Sequence, residues 1–209
     1  MELYMIRHGE TEWNRMKKLQ GHTDIALNDA GRALAVQVGH ALRDVPFTRA
    51  VSSPLSRAVE TARLVLAAAG RTLEIETDPR IEEISFGEME GVLMDGEAQS
   101  PEQAKLQDFF SAPEKYRPPK GGETLEHLLF RTGQFLEEMA SSCHEQDTIL
   151  VSVHGACMRA LQANICHRNL AGIWDGCVPP NCAVSVAVLE KGVWRLESQD
   201  VMYYGKGEL

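Results

Sequence analysis

Leu3-Tyr4-Met5-Ile6-Arg7-His8-Gly9-Glu10-Thr11 opens with a short apolar run that stops abruptly at two basic residues and a glycine. A run of this kind, bounded so sharply, predicts a buried strand followed by a loop. Thr148-Ile149-Leu150-Val151-Ser152-Val153 is a second, strongly β-prone run, and it ends in His154-Gly155. Two strands therefore finish in a histidine followed by a glycine. Ligands of open α/β sheets sit beyond the carboxyl ends of the strands. That rule predicts that His8 and His154 meet there despite their distance in sequence.

Working outward, Asn28-Asp29 precede Ala30, Leu34, Val38 and Leu42 at helical spacing. Arg49 to Ser52 predicts a strand, Ser53-Pro54 a break, and Ser56 to Ala69 a helix that stops at Gly70. Leu73 to Thr77 predicts a third strand, and Glu123 to Ser142 and Met158 to Ile165 two further helices. Cys182 to Leu189 and Val193 to Ser198 form a predicted hairpin through Glu190-Lys191-Gly192. Strands alternating with helices predict a three-layer α/β/α sandwich with a mostly parallel central sheet. Residues 91–122 are punctuated by glycine and proline and hold one predicted helix, Glu102 to Phe110. They read as a helical lid inserted into a single domain spanning 1–209.

The formal net charge of −9 disfavours nucleic acid as a partner, because that affinity rests on Lys and Arg neutralising phosphates. A small phosphorylated metabolite stays compatible, since a local Arg and His cluster can be positive inside an acidic chain. The five cysteines form no CxxC and leave one over from any pairing, so they predict reduced thiols. No apolar run reaches the roughly 18 residues of a membrane span. The first residues lack a basic start followed by an apolar stretch, so no cleaved leader is expected and the cytoplasm is the expected compartment. Oligomeric state is not legible.

His8 can attack phosphorus as a neutral imidazole and divide one displacement into two. Arg57, just inside a helix, can hold phosphate oxygens with paired hydrogen bonds, helped by the helix N-terminus. Each feature alone has a plainer reading: a turn-capping His8, a surface Arg57, a structural His154.

Several blocks occur together, in order, over nearly the whole chain. They are Arg7-His8-Gly9-Glu10-Thr11 with Asn14, Gly21 to Asn28 with Gly31, Ser52 to Ala62, Glu83 to Gly91, Gly121 to Thr124, and His154-Gly155. In this the chain resembles the histidine phosphatase superfamily, in its phosphoglycerate mutase-like branch. The resemblance implies His8 as the residue that becomes phosphohistidine, and Glu83 rather than Glu82 as the proton donor. It also implies Arg7, Arg57 and a protonated His154 as the phosphoryl clamp, with Asn14, Gly21 and Gly155 as further phosphate contacts. Positive arginines beside both histidines disfavour a metal, and no cofactor is expected. His22 and Met89 stand where the family commonly has tryptophan. With Tyr116 and Arg117 they are candidates for a substrate rim, while Phe109 and Phe110 are expected to pack the lid onto the body.

The resemblance implies a phosphatase acting on a small phosphomonoester. The family's cofactor-dependent mutases carry a longer, basic insertion where Gly91-Val92-Leu93-Met94-Asp95-Gly96-Glu97 is short and acidic. A phosphoglycerate mutase-type transfer is the alternative, and a non-catalytic binding protein on the same fold a third. A neutral nucleophile paired with a protonated acid predicts a bell-shaped or acid-favoured rate.

Overall fold

The computed structural model describes residues 1–94, 100, 103, 106–174 and 177–204. Its strands are β1 (Glu2–Arg7), β2 (Arg49–Ser52), β3 (Ile75–Thr77), β4 (Thr148–Val153), β5 (Val184–Glu190) and β6 (Val193–Val201). They form one six-stranded sheet in the order β3-β2-β4-β1-β5-β6. The pairings β3–β2, β2–β4 and β4–β1 are parallel. β5 and β6 extend the sheet as an antiparallel hairpin. Lys191 and Gly192 turn that hairpin with φ of 51° and 78°, the left-handed pair that a two-residue turn requires.

The described helices are α1 (Glu12–Arg15), α2 (Asp29–Ala41), α3 (Ser56–Ala68), α4 (Gln107–Ser111), α5 (Leu125–Ser142) and α6 (Gly155–Ile165). Alternate residues of the strands feed two cores. Ile6, Ala50, Leu150 and Val184 pack on one face with Leu34 and Val38 of α2 and Ala62 and Val65 of α3. Leu3, Met5, Ile149, Val151 and Ala187 pack on the other with Leu128 and Phe135 of α5 and Leu161 of α6. Burial on both faces explains why β1 and β4 read as continuous apolar runs rather than alternating ones. None of the described helices is long and apolar enough to cross a membrane.

Within the lid, the described helix is α4, which starts at Gln107. Glu102, where the predicted helix begins, and Asp95, Gly96 and Glu97 lie outside the described residues. The lid sends Phe109 (2% exposed) and Tyr116 (3%) into the larger core, so it is anchored by its own aromatics.

One boundary differs from expectation in a way that matters. α6 begins at Gly155, three residues before Met158. His154 is its N-cap but gives it no side-chain hydrogen bond. The exposed donors of the first turn are satisfied instead by a carboxylate from a distant segment, that of Glu83: Ala156 N–H to Oε2 at 3.1 Å and Cys157 N–H to Oε1 at 3.0 Å. A long-range cap of this kind leaves no local signature.

Candidate active site

β1 and β4 lie side by side in parallel, with Arg7 in register with Val153. The residues that follow are consequently neighbours, and the rings of His8 and His154 stand 5.1 Å apart between centroids. Both histidines are buried. The turn after β1 is tied to α3, where Thr61 Oγ1 accepts from Gly9 N–H (3.0 Å) and donates to the Arg57 carbonyl (2.7 Å).

His8 Nδ1 lies 2.7 Å from the Gly9 carbonyl oxygen. A carbonyl only accepts, so Nδ1 carries the proton and Nε2 of the neutral ring keeps its lone pair. Burial, then Arg57, then Arg7, hold His8 well below the usual histidine range, against a smaller opposing effect of the Gly9 carbonyl.

Arg57 is fully buried. Its Nη1 donates to the Thr23 carbonyl (3.0 Å), Nη2 to the Gly21 carbonyl (2.7 Å) and Nε to His154 Nδ1 (3.3 Å). Gly21 therefore orients the arginine through its carbonyl. Burial pulls Arg57 down to about 10, which still leaves it charged at neutral pH. The loop that supplies those carbonyls is held by Glu90, which accepts from His22 N (2.8 Å), Thr23 N (2.6 Å) and Phe86 N (3.2 Å).

The expected charge on His154 is corrected. Its Nδ1 receives an N–H from Arg57, so that nitrogen must be unprotonated, and Nε2 donates to Ser53 Oγ at 2.7 Å. Burial and then Arg57 and the other cations nearby also push its pKa well below the usual value. A neutral His154 locks the Arg57 guanidinium in place, and the positive charge of the site rests on the two arginines.

Arg7 Nη1 donates to the Pro179 carbonyl, while its Nε is buried with no partner among the described residues. A buried cationic donor left unsatisfied is costly, and an anion at this point would relieve it. Glu83 Oε1 accepts from both Ile84 N and Cys157 N at 3.0 Å, which uses its two lone pairs. Among the described residues Oε2 accepts only from Ala156 N, which leaves it one position for a proton. Gly155 separates Arg7 from Glu83. A Cβ there would lie 3.6 Å from Arg7 Nε, 3.5 Å from Glu83 Oε2 and 2.8 Å from Val178 Cγ1. The space between cation and carboxyl depends on the absence of that carbon.

Arg7, Glu83, Asn14 and Gly155 line one cavity of about 430 Å³. Asn14 Oδ1 accepts from Thr11 N (3.2 Å) and Asn181 Nδ2 (3.1 Å). Asn181, which also donates to the His8 carbonyl at 3.0 Å, was not foreseen, because nothing around Pro179-Pro180-Asn181 marks it as functional. Glu82 faces elsewhere, 3.7 Å from His22 Nε2. Of the four rim candidates, none lines this cavity. Met89 and Tyr116 are corrected to core residues, 8% and 3% exposed: Met89 ends the short turn before the lid and packs into the larger core, and Tyr116 is turned into the same core by the lid. His22 lines a second cavity behind Glu83, where its Nε2 meets the Glu83 carbonyl at 2.8 Å. Arg117 bonds the Tyr116 carbonyl. Phe109 packs as expected, but it and Phe110 also line the Arg7 cavity, together with the unforeseen Trp174.

Residues 3–201 match the family model of the histidine phosphatase superfamily, branch 1. Phosphoglycerate mutase-like protein 4 of Arabidopsis thaliana is 37% identical over 161 residues, covering 77% of this chain and 69% of its own. The metal-independent phosphoserine phosphatase of the same plant is 31% identical over 199 residues, covering 94% and 80%. The structure of Bacillus stearothermophilus YhfR superposes with a TM-score of 0.88 at 29% identity, covering 97% of this chain and 98% of that one. With two histidines at adjacent strand ends, a buried Arg57 and a half-buried Arg7 beside them, and a match over nearly its full length, the chain belongs to the histidine phosphatase superfamily.

Proposed function

We propose that the protein is a metal-independent phosphatase that hydrolyses a small phosphomonoester through a phosphohistidine at His8. The observation that carries this reading is the ring of His8, whose proton is held on Nδ1 by the Gly9 carbonyl, leaving Nε2 as a nucleophile amid buried positive charge. Nε2 attacks phosphorus and the bond from phosphorus to the ester oxygen breaks. Arg57 and the unpaired Nε of Arg7 stabilise the charge on the non-bridging oxygens. Glu83 Oε2 gives its proton to the departing oxygen, then takes one from the water that cleaves the P–N bond.

Water is favoured over a second phosphorylated acceptor for a reason of charge. Residues 91–97 carry Asp95 and Glu97 and neither Lys nor Arg, so the segment directly after the Glu83 block brings no cation to retain a highly anionic bisphosphate. Phosphoglycerate mutase-type transfer is the second reading, and several relatives bear phosphoglycerate mutase names. The two separate in one assay of purified protein with 3-phosphoglycerate, with and without 2,3-bisphosphoglycerate, alongside a panel of phosphomonoesters. Phosphate release without bisphosphate dependence is expected. Bisphosphate-dependent isomerisation with negligible phosphate release overturns it.

The low basicity of His8 has a direct kinetic consequence. The attacking form is neutral, and its loss by protonation begins only well below pH 6.5. The substrate's own second ionisation lies at about 6. Plotted against dianion concentration, kcat/KM is therefore expected to show no acid-side fall centred on pH 6.5, in keeping with an acid-favoured rate. A fall centred on pH 6.5 in that plot would show that His8 titrates as an ordinary histidine.

A further inference from the structure

Beyond Arg7 and Glu83, the cavity is walled by a built aromatic surface. Phe109 is its centre, with Phe110 and Trp174 at 4.8 Å and Phe86 at 5.1 Å between ring centroids, and Tyr116, off the cavity, backs it at 5.0 Å, all edge-on. The Trp174 indole is fixed in orientation, because its Nε1 donates to the Phe109 carbonyl across two separate segments of the chain. Phe110 stands 5.2 Å from Trp174 at 44° and remains 43% exposed at the cavity edge. Leu19, Phe86 and Met94 continue the apolar lining. On the polar side, the Lys18 ammonium is already held over the Trp13 ring at 5.7 Å. A cavity of about 430 Å³ is far larger than a phosphoryl group and falls in the size range of pockets that enclose whole organic ligands.

We infer that Phe110 and Trp174 form a subsite for a planar ring, so that the substrate class is a phosphomonoester whose alcohol carries an aromatic ring a few bonds from the ester oxygen. The inference rests on the reading of His8 and Arg7 given above. Aromatic rings stack or meet edge-on at 4.5–7 Å, and a fixed indole beside a half-exposed phenyl offers both a face and an edge at the cavity mouth. A three-carbon phosphorylated acid leaves this surface uncovered.

The test compares two primary-alcohol esters of similar leaving ability, 2-phenylethyl phosphate and glycerol 3-phosphate. The phenyl ester is expected to have a kcat/KM at least about tenfold higher, mainly through KM, the scale of one well-placed aromatic contact plus its buried area. Phe110→Ala is expected to cut that ratio about fivefold or more. Phe130→Ala, on the exposed side of α5, should leave the ratio unchanged. Calorimetric binding of 2-phenylethylphosphonate against 2-hydroxyethylphosphonate reads the subsite without turnover and should show the same preference. A ratio near one in hydrolysis and in binding overturns the ring subsite, as does a preference that survives Phe110→Ala. Absence of phosphate release from every ester, with the phosphonate preference intact, strikes the hydrolytic reading alone.

Discussion

Replacing His8 by alanine is expected to lower kcat/KM for any phosphomonoester by at least about 10⁴-fold, the scale on which removal of a covalent nucleophile acts. The loss should be in the chemical step rather than in folding. The backbone around His8 is held independently of its ring: His8 N–H donates to Val153, Gly9 N–H to Thr61, and the His8 carbonyl accepts from Asn181. Arg7 and Arg57 keep their own partners, Pro179 for one and Gly21 and Thr23 for the other. The variant should therefore still bind inorganic phosphate. The wild-type protein, quenched during turnover of a ³²P-labelled ester, should carry a label that survives alkali and is lost in acid, the pattern of phosphoimidazole. The alanine variant should carry none. Activity within tenfold of wild type would remove His8 from the mechanism altogether.

The second large effect is expected at Glu83, and it should depend on the leaving group. For an alkyl phosphate, Glu83→Gln is expected to lower kcat/KM by about 10²–10³-fold, because an alkoxide cannot leave well without a proton. For p-nitrophenyl phosphate the loss should be under about tenfold, since nitrophenolate departs unaided. The ratio between substrates is the informative quantity. Glutamine also turns an amide N–H₂ toward the N–H groups of Ala156 or Cys157, which now donate to the carboxylate, so some loss common to both substrates is built in. Steady-state kcat should fall for both, because the same carboxylate activates water in the second step, and phosphohistidine should accumulate. Equal losses in kcat/KM for the two esters would make Glu83 a cap of α6 and nothing more.

The parts of the site carried by strand ends were legible in the chain. An apolar run cut off at Arg7-His8 and another at His154-Gly155 are local patterns, and the parallel sheet brings local patterns of that kind together. Arg57 was legible for the same reason, standing just after a strand and a turn. What escaped was made by tertiary contact. The charge of His154 is set by Arg57 Nε, which only folding places at its Nδ1. The early start of α6 is set by a carboxylate contributed from Glu83. Glu90 sits in a recognised block, yet its task of fixing the loop that feeds carbonyls to Arg57 shows only in its hydrogen bonds to Thr23 and His22. Lid residues were read least well. Glycine and proline announce that the chain leaves the core, but not which aromatics return to it.

The central position of β1 also governs how the chain can fold. Leu3 pairs with Ile149 on one side and Ala187 on the other, so β1 waits for two neighbours that lie far downstream in the chain. Until then its apolar faces and both of its edges are open, the condition under which nascent chains aggregate or call on chaperones. Pairings this distant in sequence place a large entropic cost ahead of any native reward, which predicts slow refolding dominated by the closure of β4 and β5 around β1. His8 acquires its setting at that same late step. A form in which β4 and β5 have not yet closed on β1 is therefore expected to lack the assembled nucleophile.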